Sequence, residues 1–129
     1  IRVDRKKREV AFAGAQRPLF LWEENELKEF EGDLVSISCA EPMNVESFST
    51  KTHTYKEGAI AYLFSDGIVD QFGGPKGKKF MVRRMREFIQ NNANKPIDVQ
   101  SVALTQTFDD WTGEEHSQLD DVMLLGIQL

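Results

Sequence analysis

Cysteine is almost absent from this sequence, which has Cys39 as its single example among 129 residues. One cysteine cannot form a disulfide within the chain and cannot build a multi-cysteine zinc site. Long hydrophobic runs are absent as well, and the longest apolar stretches fall well short of the roughly 20 residues that span a bilayer. The residues present contain no signal-peptide pattern. We therefore expect a cytoplasmic domain with no membrane span.

Positive charge is in the minority, because 16 lysine and arginine residues face 21 aspartate and glutamate residues, which gives a formal net charge of −5. An acidic chain is repelled by a phosphate backbone, so we expect no nucleic-acid partner. The one local exception is the basic run from Arg5 to Arg8. It lies between two short alternating segments, which is typical of a solvated hairpin turn.

Motifs for nucleotide binding and for nucleophilic catalysis are also missing. The glycine-rich loop at residues 73–79 does not match the Walker A pattern, which needs a glycine where Phe72 stands and a serine or threonine where Lys79 stands. We predict a turn there instead. Neither histidine is placed beside a nucleophile, because His53 falls in the polar alternation of a strand and His116 in an acidic turn. We predict that both histidines lie on the surface.

The sequence has the composition and length of one globular domain or part of one, with 40% hydrophobic and 29% charged residues. Because it opens on Ile1 and directly on a strand-like alternation, we expect it to be the excised or processed part of a longer protein. Strands are predicted at residues 1–5, 9–15, 19–22, 27–30, 48–55 and 59–64. The first four are interpreted as a β-meander, with residues 23–26 as a turn and 32–47 as irregular.

A helical period follows the glycine-rich loop and predicts an amphipathic helix over residues 78–91. Asp98 is the predicted N-cap of a second helix, which Thr112 and Gly113 end. The predicted buried residues of the two helices are Met81, Met85, Phe88 and Ile89 in the first, and Val102, Leu104, Phe108 and Trp111 in the second. A final strand is predicted at residues 121–128. This order favours an α+β fold with the helices on one face of an antiparallel sheet.

Acidic residues stand at the ends of two of the predicted strands. Asp66 and Gly67 follow the apolar run at 59–64, and Asp120 and Asp121 precede the last strand. Hard cations such as Mg²⁺ or Mn²⁺ take oxygen ligands, so these aspartates could share a metal ion if the strands are neighbours. The alternative is that Asp66 only begins a turn and that the aspartate pair is a solvated cap. Spacing alone does not decide between the two.

Several segments resemble metal-dependent serine/threonine phosphatases of the protein phosphatase 2C type. Residues 62–70 are similar to that family's strand followed by threonine or serine, aspartate and glycine, and residues 119–127 resemble its closing strand with paired acidic residues. Residues 12–21 and 71–80 are similar to segments of the bacterial branch, the stage II sporulation protein E-like (SpoIIE) phosphatases. The matches occur in the family's order and span nearly the whole chain.

The resemblance implies a site for two metal ions, Mn²⁺ or Mg²⁺. It carries Asp66 and Asp120 over as metal ligands, with Gly67, Asp70 and Asp121 as secondary site residues. In that family a metal-bound water or hydroxide attacks the phosphorus in line, without a phosphoenzyme intermediate. Metal binding suits this step because it lowers the pKa of water and neutralises charge on the phosphoryl oxygens.

The chain departs from the family pattern in three places. The N-terminal half of the family, with its glycine-histidine-glycine metal motif, is absent from the sequence. The loop of proline, leucine or isoleucine, and glycine is replaced by Ser36 to Ala40, and Met123 stands where a threonine is usual. We therefore expect this chain to hold at most half of the metal site and to be inactive alone.

The resulting hypothesis is that residues 1–129 form the C-terminal portion of a single SpoIIE-like phosphatase domain, with an incomplete β-sandwich of antiparallel sheets and helices outside. The resemblance implies a phosphoserine or phosphothreonine substrate on a bacterial regulatory protein, such as an anti-sigma-factor antagonist, and an upstream sensor domain. The alternative is a non-catalytic interaction module on the same scaffold. An uncovered apolar sheet edge is also expected, and such an edge allows dimerisation.

Overall fold

The structure is a computed structural model that describes residues 1–37 and 48–129. Cys39 and most of the replaced loop at residues 36–40 lie outside these ranges. The elements are β1 (Arg2–Asp4), β2 (Glu9–Phe12), β3 (Leu19–Glu23), β4 (Glu26–Phe30), β5 (Lys51–Thr54), β6 (Ile60–Phe64), α1 (Asp66–Asp70), β7 (Phe72–Gly73), β8 (Lys78–Lys79), α2 (Met81–Asn92), α3 (Ile97–Thr112) and β9 (Leu124–Gln128). Each pair of named strands is antiparallel.

Four strands form the larger sheet, in the order β4-β3-β6-β9. β6 is apolar throughout because it lies between β3 and β9 and is covered on both faces, as the sequence predicted. β3 and β4 are joined by a two-residue turn, Glu24 and Asn25, whose φ angles of 51° and 63° match the twist of a tight hairpin.

The smaller sheet has the order β1-β2-β5, and β7 and β8 form a separate hairpin. The predicted β-meander is therefore wrong, because β2 pairs with β5 and not with β3. Local strand pairing is only a tendency, and here the segment between Phe12 and Leu19 carries the chain from one sheet to the other. The basic turn from Arg5 to Arg8 is exposed, as predicted.

Two apolar clusters hold these layers together. The first fills the space between the sheets and consists of Val10, Phe12, Leu19, Leu21, Tyr55, Ala59 and Ala61. The second lies between the outer face of the larger sheet and the helices, where Phe20, Tyr62 and Phe64 pack against Met85 and Ile89. The fold is thus a β-sandwich with helices on one side, which confirms the predicted α+β class.

Helix α2 begins three residues later than predicted, because residues 78 and 79 belong to β8. Met85, Phe88 and Ile89 are buried as expected, whereas Met81 is 54% exposed. The prediction for Met81 is wrong because this residue enters the helix with a left-handed backbone, φ 70°, which takes it off the regular helical face.

Helix α3 is less buried than its pattern suggested. Leu104, Phe108 and Trp111 pack partly buried against the helix-side cluster, but Val102 is 72% exposed. Asp98 is not the N-cap, because the helix begins at Ile97 after Pro96 and Asp98 lies in its first turn. A carboxylate there still interacts favourably with the helix dipole. Gly113 ends the helix with φ 61°, as predicted.

A buried carboxylate lies at one end of β3, where the sequence predicted only a turn. Glu23 ends the strand with 2% exposure and accepts hydrogen bonds from Lys28 and from the Lys56 amide, while His53 Nε2 lies 2.8 Å from its carboxylate. The His53 side chain is half-buried at 24% exposure, so the prediction that it lies on the surface is wrong.

The final strand is shorter than predicted, because residues 121–123 precede β9 without joining the sheet. β9 is an edge strand of the larger sheet, and Leu125 within it is 46% exposed. The uncovered apolar edge and dimerisation both stay predictions. Among the described residues, no helix is both long enough and apolar enough to cross a bilayer.

Candidate active site

The candidate site lies at one edge of the larger sheet, where β6 ends and β9 begins. Phe64 and Leu124 are paired at this end of the two antiparallel strands. The segments 65–67 and 120–123 therefore leave the sheet side by side. This confirms the predicted adjacency of the two acidic segments, while the role of Asp66 and Asp120 as metal ligands stays a prediction.

Ser65 fastens the two segments together through both its backbone and its side chain. Its amide donates to the Met123 carbonyl at 3.0 Å, and its hydroxyl donates to the Asp121 carbonyl at 2.9 Å. The same hydroxyl accepts from the Met123 amide at 3.0 Å. With its hydroxyl held in this way, Ser65 acts as a clamp on the backbone after Asp120 and is not placed as a free nucleophile.

Gly67 allows the closest approach between the segments. A Cβ at this position would lie 2.3 Å from the Asp121 carbonyl oxygen and 2.9 Å from its carbonyl carbon. Backbone atoms cannot yield to such a contact as a flexible side chain can. Any larger residue at position 67 would therefore push the aspartate pair away from α1.

Asp66 is the first residue of α1, and its carboxylate is half exposed. Arg17 Nη2 donates to Asp66 Oδ2 at 2.6 Å. This charged hydrogen bond holds the pKa of Asp66 below its usual value, with smaller contributions from the backbone amides of Asp66 and Gly67. The carboxylate is thus kept ionised, which is the form that binds cations.

Arg17 reaches Asp66 because the start of β3 lies at the same sheet edge as the end of β6. The register pairs Phe20 with Tyr62, so Arg17 stands just beyond the paired residues, near Ser65 and Asp66. Backbone contacts fix this segment, since Asp33 bonds to both Gly14 and Gln16. Sequence reasoning missed Arg17, and its place just before the strand predicted at residues 19–22 was the available signal.

Asp120 and Asp121 are both exposed at the entry to β9. The Asp121 amide donates to Asp120 Oδ1 at 2.7 Å, and Gln118 Nε2 donates to the Asp120 carbonyl at 2.8 Å. These short-range bonds fold the segment into a turn beside Gly67. Each carboxylate keeps acceptor positions for a ligand.

Gln71 is a second residue that sequence reasoning missed. It is 1% exposed, and its amide nitrogen donates to the Ser117 carbonyl at 3.0 Å while the Leu119 amide approaches its oxygen at 3.4 Å. The backbone carbonyl of Gln71 accepts hydrogen bonds from Trp111 Nε1 and from the Phe80 amide. Gln71 therefore anchors the loop that leads into Asp120, and its place in the sequence carries no local signal of this role.

Asp70 stands at the other end of α1 from Asp66. Its carboxylate accepts a hydrogen bond from Lys79 on β8 at 3.1 Å, in an exposed ion pair. Asp70 is thus connected to the β7–β8 hairpin, and among the described residues it forms no hydrogen bond or ion pair with the Asp120 segment.

The carboxylates at this sheet edge fit only part of a site for a divalent cation. Within residues 1–37 and 48–129, no group of three or more histidine, cysteine, aspartate and glutamate side chains is close enough to hold a metal ion. What this edge supplies is an ionised aspartate and an adjoining aspartate pair, whose oxygens suit Mg²⁺ or Mn²⁺. The arrangement fits part of such a site and needs further oxygen ligands to complete it.

A comparison with protein-family models gave a match over residues 1–129 to the model described as "Stage II sporulation protein E (SpoIIE)". A comparison with curated proteins gave no match. Among solved structures, the SiaA-PP2C domain of Pseudomonas aeruginosa is similar at 30% identity with a TM-score of 0.87, over 98% of this chain and 48% of that chain.

Two further solved structures share the fold at lower identity. The PP2C phosphatase domain of Bacillus subtilis SpoIIE, with a fragment of its regulatory domain, has 18% identity and a TM-score of 0.73, over 98% of this chain and 36% of that chain. RsbX in complex with magnesium has 16% identity and a TM-score of 0.56, over 98% and 53%. The chain thus spans about a third to a half of the length of these structures.

Proposed function

Because the chain belongs to the SpoIIE family, we propose that it forms the C-terminal portion of a metal-dependent protein serine/threonine phosphatase domain. The observation that carries the proposal is the docking of the Ser65 to Gly67 segment on the Asp120 to Met123 segment at one sheet edge. This docking places two acidic segments, 56 residues apart in the sequence, beside each other on rigid strands.

The chain's own residues would bind and orient the cation and the substrate. Asp66 and Asp120 would supply carboxylate oxygens, with Asp121 beside them, and Gly67 would keep the two segments in contact. Ser65 and Gln71 would position the Asp120 segment through the hydrogen bonds described above. A divalent cation bound there would neutralise charge on the phosphoryl group and lower the pKa of water.

Magnesium or manganese is the proposed cation. The solved RsbX structure holds magnesium, and hard carboxylate oxygens suit both ions. Because the chain spans about half of the SiaA-PP2C domain, the remaining ligands would come from residues outside this sequence. That share of the length also supports the proposal that residues 1–129 are one part of a single domain.

The proposed substrate is a phosphoserine or phosphothreonine on a bacterial regulatory protein, such as an anti-sigma-factor antagonist. A sensor or regulatory domain would lie upstream in the same protein. The solved SpoIIE structure includes a fragment of a regulatory domain beside its phosphatase domain, which supports this arrangement.

A second candidate is a non-catalytic interaction module on the same scaffold. The observation that favours it is the direct ion pair between Asp66 and Arg17, which satisfies one carboxylate of the proposed site with a side chain of the same chain. In such a module this pair would serve to fasten β3 to α1.

The deciding experiment measures Mn²⁺-dependent hydrolysis of p-nitrophenyl phosphate by the complete protein. Asp66→Asn and Asp120→Asn should each lower turnover by about 100-fold or more, because each removes a ligand charge. Asp98→Asn removes an exposed aspartate from α3 and should leave turnover unchanged. Isothermal titration calorimetry should show weaker Mn²⁺ binding for Asp66→Asn and Asp120→Asn, and unchanged Mn²⁺ binding for Asp98→Asn.

The 129-residue chain alone should show no turnover. An inactive complete protein with an intact fold would favour the interaction module. Strong turnover by the isolated chain would show that residues 1–129 themselves supply the ligands that we assign to residues outside this sequence.

A further inference from the structure

A groove separate from the acidic edge lies between the β7–β8 hairpin and the first turn of α2. It has a volume of about 820 Å³ and is lined chiefly by Phe72, Lys76, Lys78, Lys79, Met81 and Arg83. We call it the basic groove. It has no role in the proposed metal site, although α1 connects the two places directly.

The charge of the basic groove is opposite to that of the chain. The chain has a net charge of −5, yet five of its 16 basic residues line this groove, namely Lys76, Lys78, Lys79, Arg83 and Arg84. Among the described residues, no acidic side chain lines it. Lys79 and Arg83 form exposed ion pairs with Asp70 and Glu87, which stabilise little. Among residues 1–37 and 48–129, neither Lys76 nor Lys78 has a carboxylate within 4.0 Å.

Two large apolar side chains are held in the same groove, although both are open to solvent. Phe72 is 39% exposed with the Lys79 ammonium 5.9 Å from its ring centre, and Met81 is 54% exposed. Met81 also has a left-handed backbone that side chains with a Cβ rarely adopt. The strained backbone and the exposed apolar side chain of Met81 each lower the stability of the fold. Both features are typical of binding sites.

The groove has a fixed shape because its walls are anchored to the core. The Gly74 amide donates to the Trp111 carbonyl at 2.7 Å, and the Phe80 amide donates to the Gln71 carbonyl at 2.9 Å. Gln71 and Phe80, the neighbours of Phe72 and Met81, are 1% and 2% exposed. A preformed groove loses little conformational entropy when a ligand binds.

From these contacts we propose that the basic groove binds an acidic segment of a partner protein that carries a large apolar side chain. The acidic residues would pair with Lys76 and Lys78, and the apolar side chain would pack between Phe72 and Met81. A protein segment fits better than a nucleic acid or a membrane, because the net negative charge of the chain repels an extended anionic surface. A concave groove of this size also accepts side chains individually.

The groove lies close to the candidate site. Helix α1 has five residues and is therefore about 7.5 Å long, with Asp66 at one end and the Asp70–Lys79 pair at the other. A bound acidic segment would place neighbouring residues of the same partner near Asp66. That this partner is the phosphorylated substrate rests on the proposed function, whereas the docking itself does not.

The test measures binding of a fluorescein-labelled peptide of alternating aspartate and glutamate around one phenylalanine to the complete protein by anisotropy. Lys76→Glu with Lys78→Glu should weaken binding by about tenfold or more, since it reverses both unpaired charges. Lys6→Glu with Lys7→Glu makes the same change in the exposed β1–β2 turn and should have less than about a twofold effect. Phe72→Ala with Met81→Ala should also weaken binding, without changing its salt dependence.

Two results would overturn the proposal. Equal weakening by the two lysine pairs would mean that only overall charge matters. Binding of phosphatidylserine vesicles or of a single-stranded RNA that depends on Lys76 and Lys78, with no peptide binding, would replace the protein partner by a membrane or a nucleic acid.

A kinetic measurement separates this proposal from the proposed function. With an acidic phosphopeptide as substrate, the Lys76 and Lys78 reversal should raise KM and leave turnover of p-nitrophenyl phosphate unchanged. If Asp66→Asn abolishes turnover but the reversal leaves KM unchanged, the groove proposal fails and the phosphatase stands. If the peptide binds through the groove and no turnover occurs, the docking stands and the phosphatase fails.

Discussion

Glu23 and Asp66 are carboxylates at opposite ends of the larger sheet, and their surroundings differ sharply. Glu23 follows Trp22, which pairs with the first residue of β6, whereas Asp66 lies beyond the last. The Glu23 side chain is 1% exposed and meets Lys28, His53 and the Lys56 amide. The Asp66 side chain is 51% exposed, and within residues 1–37 and 48–129 its side-chain hydrogen bond comes from Arg17.

This difference separates an acidic residue that stabilises the fold from one that is available to a ligand. Burial alone raises the pKa of Glu23, but hydrogen bonds from Lys28, Lys56 and His53 outweigh it and lower the pKa to about 2. Three hydrogen-bond donors thus compensate the buried Glu23 carboxylate. Asp66 is ionised too, yet its exposed oxygen positions are open to a cation.

The strongest test of the comparison removes each carboxylate in turn. Glu23→Ala should lower the free energy of unfolding by about 3 kcal/mol, because it removes a buried carboxylate that accepts three hydrogen bonds. Asp66→Ala should cost less than about 1 kcal/mol, as expected for an exposed ion pair. Urea denaturation measures both, and Glu24→Ala in the exposed turn is the control. A larger loss at Asp66 than at Glu23 would contradict the distinction.

The second test uses pH. The pKa of Glu23 is lowered in the folded state, so its contribution is complete above the ordinary value of 4.5 and is lost as pH falls through about 2. A shift of this size corresponds to about 3 kcal/mol. Unfolding free energies measured by urea titration across this pH range should fall for the wild-type chain and change much less for Glu23→Gln. Parallel curves would show that other groups dominate acid unfolding.

The third test addresses the contact between the two acidic segments. Gly67→Ala should lower the unfolding free energy by about 2 kcal/mol, because its Cβ would meet the Asp121 carbonyl oxygen at 2.3 Å. It should also weaken Mn²⁺ binding by the complete protein, which calorimetry can measure. Gly58→Ala, where a Cβ meets nothing within 4 Å, tests the cost of a positive φ alone. Equal losses in stability and no change in Mn²⁺ binding would show that the close contact is unimportant.

The smallest expected effect concerns Arg17. Arg17→Ala should change the unfolding free energy by less than about 1 kcal/mol, because the pair with Asp66 is exposed. The pKa of Asp66 should rise toward its usual value once the guanidinium is gone, and carboxyl carbon NMR titration would detect this. Arg2→Ala, which removes another exposed pair, should leave that pKa unchanged. An unaltered Asp66 pKa in both variants would mean that Arg17 does not hold this carboxylate.

The sequence was sufficient for features that depend on local pattern. The continuous apolar run of β6, the alternation of β5 and the glycine after α3 each follow from the residues themselves. The predicted adjacency of the acidic segments depended on the resemblance, because spacing alone left open whether the two strands are neighbours. The identity of β5 and β6 as strands and the α+β class could therefore be predicted, although β2, β5 and β9 are each shorter than the predicted strands.

Features that depend on distant contacts could not be predicted. The β2–β5 pairing joins Phe12 to Lys51, and no local signal favours it over a meander. Gln71 and Glu23 are polar residues near turns, and only the packed fold shows that both are buried. Arg17 is positioned by the antiparallel register of β3 and β6, which a single sequence does not reveal.

The Ser65 clamp has a consequence for the order of folding. It joins residues that are 56 positions apart in the sequence, whereas the Glu23–Lys28 contact joins residues that are five positions apart. Closing a longer loop costs more chain entropy, and long-range strand pairing slows folding. We expect the β3–β4 hairpin to form early and the candidate site to be assembled in a late step, so residues at the β6–β9 junction would act mainly on the unfolding rate.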